Sequence, residues 1–103
     1  MKVVSPCSPQ NIKRIPSTGD LLLVWNSKIG PRRTPLTVAV SKDEGETWVN
    51  RKNIDEDKRY GFAYPSVTFV KDVLFLTYFV HDENTSHIDL KLKTVPVSWL
   101  YRK

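Results

Sequence analysis

The chain is poor in cysteine, glycine and methionine, with one, four and one among 103 residues. A lone thiol, Cys7, excludes an internal disulfide framework and fits a reducing, cytoplasmic setting better than an oxidising one. Four glycines are too few for a phosphate-cradling loop, and no strand-to-helix nucleophile elbow is present. The longest apolar runs, Leu21–Trp25 and Val73–Leu76, fall far short of a membrane span. The opening Met1-Lys2-Val3-Val4-Ser5-Pro6-Cys7 lacks the apolar core of a signal peptide. No run of five like charges occurs. The net charge is 16 − 11 = +5, but the basic residues are scattered in pairs such as Lys13-Arg14, Arg32-Arg33 and Lys58-Arg59. Solvated strand faces and loop ends account for them. With no nucleic-acid motif beside them, no nucleic-acid partner is expected.

What remains is strand. Hydrophobic residues make up 40% and charged residues 26%, which suits one small domain with a small core. Asn11–Ile15 reads as a short strand, closed by the turn Pro16-Ser17-Thr18-Gly19-Asp20. Leu21–Asn26 is apolar up to Trp25, as expected of a strand buried on both faces. Ser27–Pro31 is a loop with Gly30 and Pro31 as breakers. Leu36–Ser41 alternates, and Thr47–Arg51 opens the next strand. The charged Asn53–Gly61 reads as loop. Ser66–Val70 and Val73–Val80 are joined at Lys71-Asp72, a two-residue hairpin turn. His81–Ser86 reads as polar loop, and its two histidines, with Asp82 and Glu83, as loop decoration rather than a metal site. Asn84-Thr85-Ser86 is a glycosylation acceptor only in a secreted protein. His87–Val95 alternates, with Ile88, Leu90 and Leu92 expected inside and Asp89, Lys91 and Lys93 outside. Pro96 stops it, and Trp99, Leu100 and Tyr101 form a last apolar cluster. Seven strands in groups of four and three result. The expected fold is all-β, built of antiparallel four-stranded blades. One whole blade occupies about residues 10–53, and a second, one strand short, about 62–96.

The most specific local pattern is Ser41-Lys42-Asp43-Glu44-Gly45-Glu46-Thr47-Trp48, which reads S-x-D-x-G-x-T-W. Each residue type has a mechanical use in a tight hairpin. Asp43 accepts hydrogen bonds from the turn's own backbone. Gly45 takes a positive φ, Ser41 closes the turn with its hydroxyl, and Trp48 folds back as an apolar plug. This is the pattern called an Asp box.

Three segments together resemble the sialidases: Ile12–Trp25; Arg33-Thr34-Pro35-Leu36-Thr37 running into the Asp box; and Ala63-Tyr64-Pro65-Ser66. Residues 90–99 resemble the last strand of such propellers. The resemblance implies a six-bladed β-propeller of which this chain, 1–103, is a C-terminal part of about two blades. It implies an exo-sialidase that releases terminal sialic acids from glycoconjugates with retention. Arg33 matches an arginine of the carboxylate-binding triad; the alternatives are a solvated loop residue or neighbouring Arg32 in that role. Tyr64 matches the nucleophilic tyrosine, with a core aromatic as the alternative. Ser41, Asp43, Gly45 and Trp48 match the structural box on an outer turn, away from the site. The implied partners are a sialylated glycan or related acidic sugar, and either missing N-terminal blades or an oligomer partner. No cofactor and no metal are implied. The acid/base Asp, the Glu partner of the tyrosine and the other arginines are expected on earlier blades, so the chain alone is expected to be inactive. Two departures mark a divergent branch. Phe79 stands where a Glu usually braces an arginine, and Pro65 replaces a small polar residue. The alternative reading is a non-catalytic glycan-binding or scaffold propeller.

Overall fold

The computed structural model describes residues 10–28, 33–57, 59–82 and 84–102; Cys7, the breakers Gly30 and Pro31, Arg32, Lys58 and Glu83 lie outside them. The described residues form seven strands: β1 (Asn11–Arg14), β2 (Leu21–Asn26), β3 (Leu36–Ser41), β4 (Val49–Asp55), β5 (Tyr60–Val70), β6 (Val73–Asp82) and β7 (His87–Pro96). One helical turn, α1 (Val97–Leu100), follows. They make two antiparallel sheets, β1-β2-β3-β4 and β5-β6-β7, the four-plus-three grouping expected. About 62% of the chain is strand, so the molecule is all-β.

The run Leu21-Leu22-Leu23-Val24-Trp25 becomes a central strand because it is apolar on both sides. Leu22 and Val24 join Val38, Val40, Phe62, Leu74, Leu76 and Tyr78 in a core shared by the two sheets. Leu23, Trp25 and Ala39 face the other way and form a second cluster, sealed in part by Trp48. Trp25 is 0% exposed. Each fully buried aliphatic or aromatic side chain of this kind contributes about 1.5–3 kcal/mol. β3 is buried along its whole length, so the alternation in Leu36–Ser41 separates two buried faces, not a wet face from a dry one.

Polar ties cross between the sheets. Asn26 is buried, and its Nδ2 donates to the Phe62 carbonyl at 3.0 Å. Asn11 Nδ2 donates to the Pro65 carbonyl at 3.0 Å. Tyr78 Oη donates to Asp55 at 2.9 Å, and Lys91 Nζ pairs with the same carboxylate at 2.9 Å. The Val97 N–H donates to the Asp72 carbonyl at 2.8 Å, which turns the chain after Pro96 so that Val97 and Leu100 drop into the core.

Three expectations are corrected. Asn53–Gly61 is mostly strand: β4 runs to Asp55 and β5 starts at Tyr60. Of its described charges only Asp55 lies on a strand, the edge strand β4, while Glu56, Asp57 and Arg59 fall in the short connection to β5. His81 and Asp82 belong to β6, paired with Ile88 and His87 of β7. The third correction concerns the faces of β7. Ile88, Leu90 and Leu92 point away from the first sheet, at 59%, 66% and 58% exposed. Lys91 and Lys93 point toward it, where they reach Asp55 and the Ile54 carbonyl. Long lysine stems cover apolar surface while their ammonium groups find oxygen partners, and that reverses the strand.

Candidate functional site

Successive hairpin connections lie at opposite ends of a meander. The β3–β4 turn, which carries the Asp box, is therefore at the far end of the first sheet from the β2–β3 connection, which carries Arg33.

The box is built as its residue types suggest. Ser41 Oγ donates to Asp43 Oδ1 at 2.9 Å and accepts the Gly45 N–H at 2.8 Å. Asp43 also accepts the Thr47 N–H at 2.8 Å and the Thr47 hydroxyl at 2.6 Å. Glu44 and Gly45 both have positive φ, 58° and 92°. The hydrogen bonds from Thr47 hold the Asp43 carboxyl below its ordinary range. Arg14 grips Glu44 through two hydrogen bonds of 2.9 and 2.8 Å, tying the box to the end of β1. The polar side chains of Ser41, Asp43, Glu44 and Thr47 are spent on this turn or on that brace, and Lys42 lies over the Tyr101 ring.

The other end is different. Tyr64 is 59% exposed and has φ 55°, in the left-handed region that a bulky residue avoids. Its side chain stands outside the core of the described residues. The cause of the conformation is a bulge: pairing of β5 with β6 shifts register between Ala63 and Ser66, which turns Tyr64 out of the sheet. Three bonds fix its backbone neighbours. Phe62 N–H donates to the Arg33 carbonyl at 2.6 Å, the Phe62 carbonyl accepts from Asn26, and the Pro65 carbonyl accepts from Asn11. The first of these also fixes Arg33 itself. Its guanidinium carbon lies 5.7 Å from the centre of the Tyr64 ring, and the Phe79 ring meets Tyr64 edge-on at 6.0 Å.

Arg33 and Tyr64, adjacent in space though 31 positions apart in sequence, border an open hollow of about 510 Å³. Its remaining walls come from Gly61, Ala63, Phe79, His81 and Ile88. The hollow thus offers one guanidinium, one phenol and one imidazole against an apolar wall. A guanidinium binds a carboxylate through two parallel charge-assisted hydrogen bonds, and the apolar wall suits the non-polar part of the same ligand. No carboxylate is among the described residues that line it. Among the described residues, no group of three or more His, Cys, Asp and Glu is placed to hold a metal ion. His81 and His87, close in sequence, are separated by the structure. His81 faces the hollow, while His87 pairs with Asp89 at 3.0 Å.

Sequence reasoning identified Arg33 and Tyr64 through their flanking motifs. It did not find Asn11, Asn26 or Ile88. The asparagines bond to backbone 54 and 36 positions away, and no local pattern signals that.

Stacked antiparallel sheets over one core, marked by an Asp-box turn, define an all-β protein made of repeated sheet units. A family model described as a BNR repeat-like domain matches residues 3–78. The chain belongs to that family, and its repeat fits the sialidase- and glycosidase-type repeat superfamily. No curated protein and no solved structure matches the chain.

Proposed function

We propose that the hollow beside Arg33 and Tyr64 is part of a sialidase-type site for a terminal sialic acid or a related acidic sugar. Arg33 binds the sugar carboxylate, and Tyr64 is positioned as the nucleophile. The observation that carries this reading is the contact of the Arg33 guanidinium with an exposed, conformationally constrained Tyr64 at the mouth of the hollow. A phenol suits a substrate whose anomeric carbon bears a carboxylate, because a second carboxylate attacking there would be repelled.

Turnover needs more than these two groups. A base must take the phenol proton, and an acid must protonate the departing glycan oxygen. Among the described residues neither a Glu nor an Asp lines the hollow, and Phe79 holds the position where the sialidase pattern has a Glu. The chain by itself therefore binds without hydrolysing; further blades or an oligomer partner would supply the missing groups. Phe79 equally favours a second reading, a glycan-binding site that never turns over.

Titration of the chain with N-acetylneuraminic acid, followed by NMR, tests the site. Arg33→Ala should weaken binding by about tenfold or more, the loss of one charge-assisted bidentate contact. Tyr64→Phe should leave binding nearly unchanged. Binding indifferent to Arg33 would remove the proposal. Release from a fluorogenic sialoside, lost in Tyr64→Phe, would instead show that the chain hydrolyses unaided.

A further inference from the structure

The hollow beside Arg33 and Tyr64 has a floor and two walls, and strand pairing assigns residues to each. Gly61 and Ala63 of β5 make the floor. On β6 they pair with His81 and Phe79, two positions apart and therefore on the same face, so these two side chains form one wall. Ile88 of β7 pairs with His81 and backs that wall. The opposite wall is the segment at Arg33, which lies at the other edge of β5. There the Phe62 N–H donates to the Arg33 carbonyl, and a Cβ placed on Gly61 would lie 3.6 Å from the Arg33 nitrogen and 3.8 Å from its Cβ. Tyr64 extends this wall. Glycine and alanine keep the floor low between the two. Two strand spacings separate the Arg33 segment from β6, roughly 10 Å. That is room for one sugar ring with a hydrogen bond of about 3 Å on either side.

The polar side chains that border the hollow are unspent. Those of Arg33, Tyr64 and His81 make no hydrogen bond or ion pair with another described residue; the Arg33 guanidinium lies over the Tyr64 ring. The same residue types are committed elsewhere: His87 to Asp89, Tyr78 to Asp55, Tyr101 to Asp20 and Arg14 to Glu44. His81 is half-buried yet belongs to neither apolar cluster, so core packing does not account for it.

We propose that His81 is a ligand-binding residue of this hollow, and that it holds the polar substituent lying across the sugar ring from the carboxylate on Arg33. The assignment rests on the acidic-sugar reading above and narrows it to ring acids that carry a hydroxyl or amide opposite the acid group. A neutral imidazole offers one donor and one acceptor, the complement of a hydroxyl or a secondary amide. An arginine alone holds any carboxylate. A second polar anchor across a fixed gap selects the ring that spans it, because a ligand without the substituent leaves the imidazole to water and gains nothing from it. Phe79 and Ile88, beside His81, meet the apolar edge of the same ring.

The chain has two histidines, so their imidazole NMR signals report on the hollow with an internal control. Titration with N-acetylneuraminic acid should move the His81 ring signals and leave in place those of His87, which is bound to Asp89. His81→Ala should weaken N-acetylneuraminic acid about three- to tenfold, the worth of one hydrogen bond. It should leave cyclohexanecarboxylate, a ring acid with no other polar group, unchanged. Arg33→Ala should weaken both acids. His81→Gln keeps a donor and an acceptor and should retain most of the affinity, which separates a lost contact from a lost fold. If Arg33 matters for both acids while His81→Ala weakens neither, or both equally, the assignment of His81 fails and the Arg33 reading stands. If neither acid binds, or binding ignores Arg33, the acidic-sugar reading fails and takes the assignment with it.

Discussion

At the residue scale the decisive position is Tyr64, because its backbone and its side chain want different things. A non-glycine residue in the left-handed region costs about 1–2 kcal/mol, and such strain persists only where surroundings over-determine it. Here they do, through Asn26 and Arg33 on Phe62 and Asn11 on Pro65. Glycine would relieve the strain. Tyr64→Gly should therefore be more stable than Tyr64→Ala by about 1 kcal/mol in urea unfolding, although glycine in a strand ordinarily loses to alanine by about that much. If alanine proves the more stable, the strained tyrosine is not what holds this bulge. Tyr64 and Arg33 were legible in the sequence because each sits inside a short motif. The asparagines that fix them were not, since a side-chain amide bonding a distant carbonyl leaves no periodic trace. Nor was the bulge at Ala63–Ser66; Pro65, which lacks an N–H for a ladder, was its one visible sign.

At the scale of elements, period was legible and side was not. The alternation in β7 gives two faces, and nothing local says which one meets the first sheet. The answer comes from Asp55, at the end of β4. Burial works against its ionisation, but hydrogen bonds from Lys91 and Tyr78 and the nearby Lys93 outweigh it, and its carboxyl is held below the ordinary range. The same contact, with burial, raises Tyr78. Three strands, β4, β6 and β7, therefore converge on one carboxylate only 12% exposed, and β7 turns Lys91 inward to reach it. Tyr78→Phe removes one bond and keeps the ring that meets Phe62 edge-on at 5.9 Å. It should cost about 1 kcal/mol in urea unfolding. Asp55→Ala should cost more, about 1–3 kcal/mol, because it strands the Tyr78 hydroxyl in the core. Equal losses for the two would mean that the hydroxyl finds water instead. The length of β4 and β6 was misread for a related reason: polar residues at a strand end and polar residues in a loop look alike until the pairing partner is known.

For the whole molecule, the four-plus-three strand count was legible from turn chemistry and hydrophobic runs, and the shared core followed from the doubly apolar β2. Acid should dismantle this assembly in a defined way. Asp43, Glu44, Asp55 and Asp57 all hold their protons less tightly than ordinary carboxyls. Thr47 holds Asp43 down, Arg14 holds Glu44 down, and Arg59 takes Asp57 to about 2. A depressed folded value gives stability that is complete above the unfolded carboxyl range near about 4 and is lost as pH falls through the folded values. The urea midpoint should therefore be flat from about pH 7 to 5 and fall below about 4. A decline already under way between pH 7 and 5 would assign the acid sensitivity to other groups. The Asp box carries one more consequence, for the order of events. All its own bonds join residues two to four positions apart, whereas the ties that align the sheets span tens of positions. Short loops close first, so this turn is a candidate nucleus from which β3 and β4 zip together. Asp43→Ala should then slow refolding while leaving the unfolding rate nearly unchanged in a stopped-flow chevron; a change confined to the unfolding limb would make the box a late latch, set only after the sheets have met.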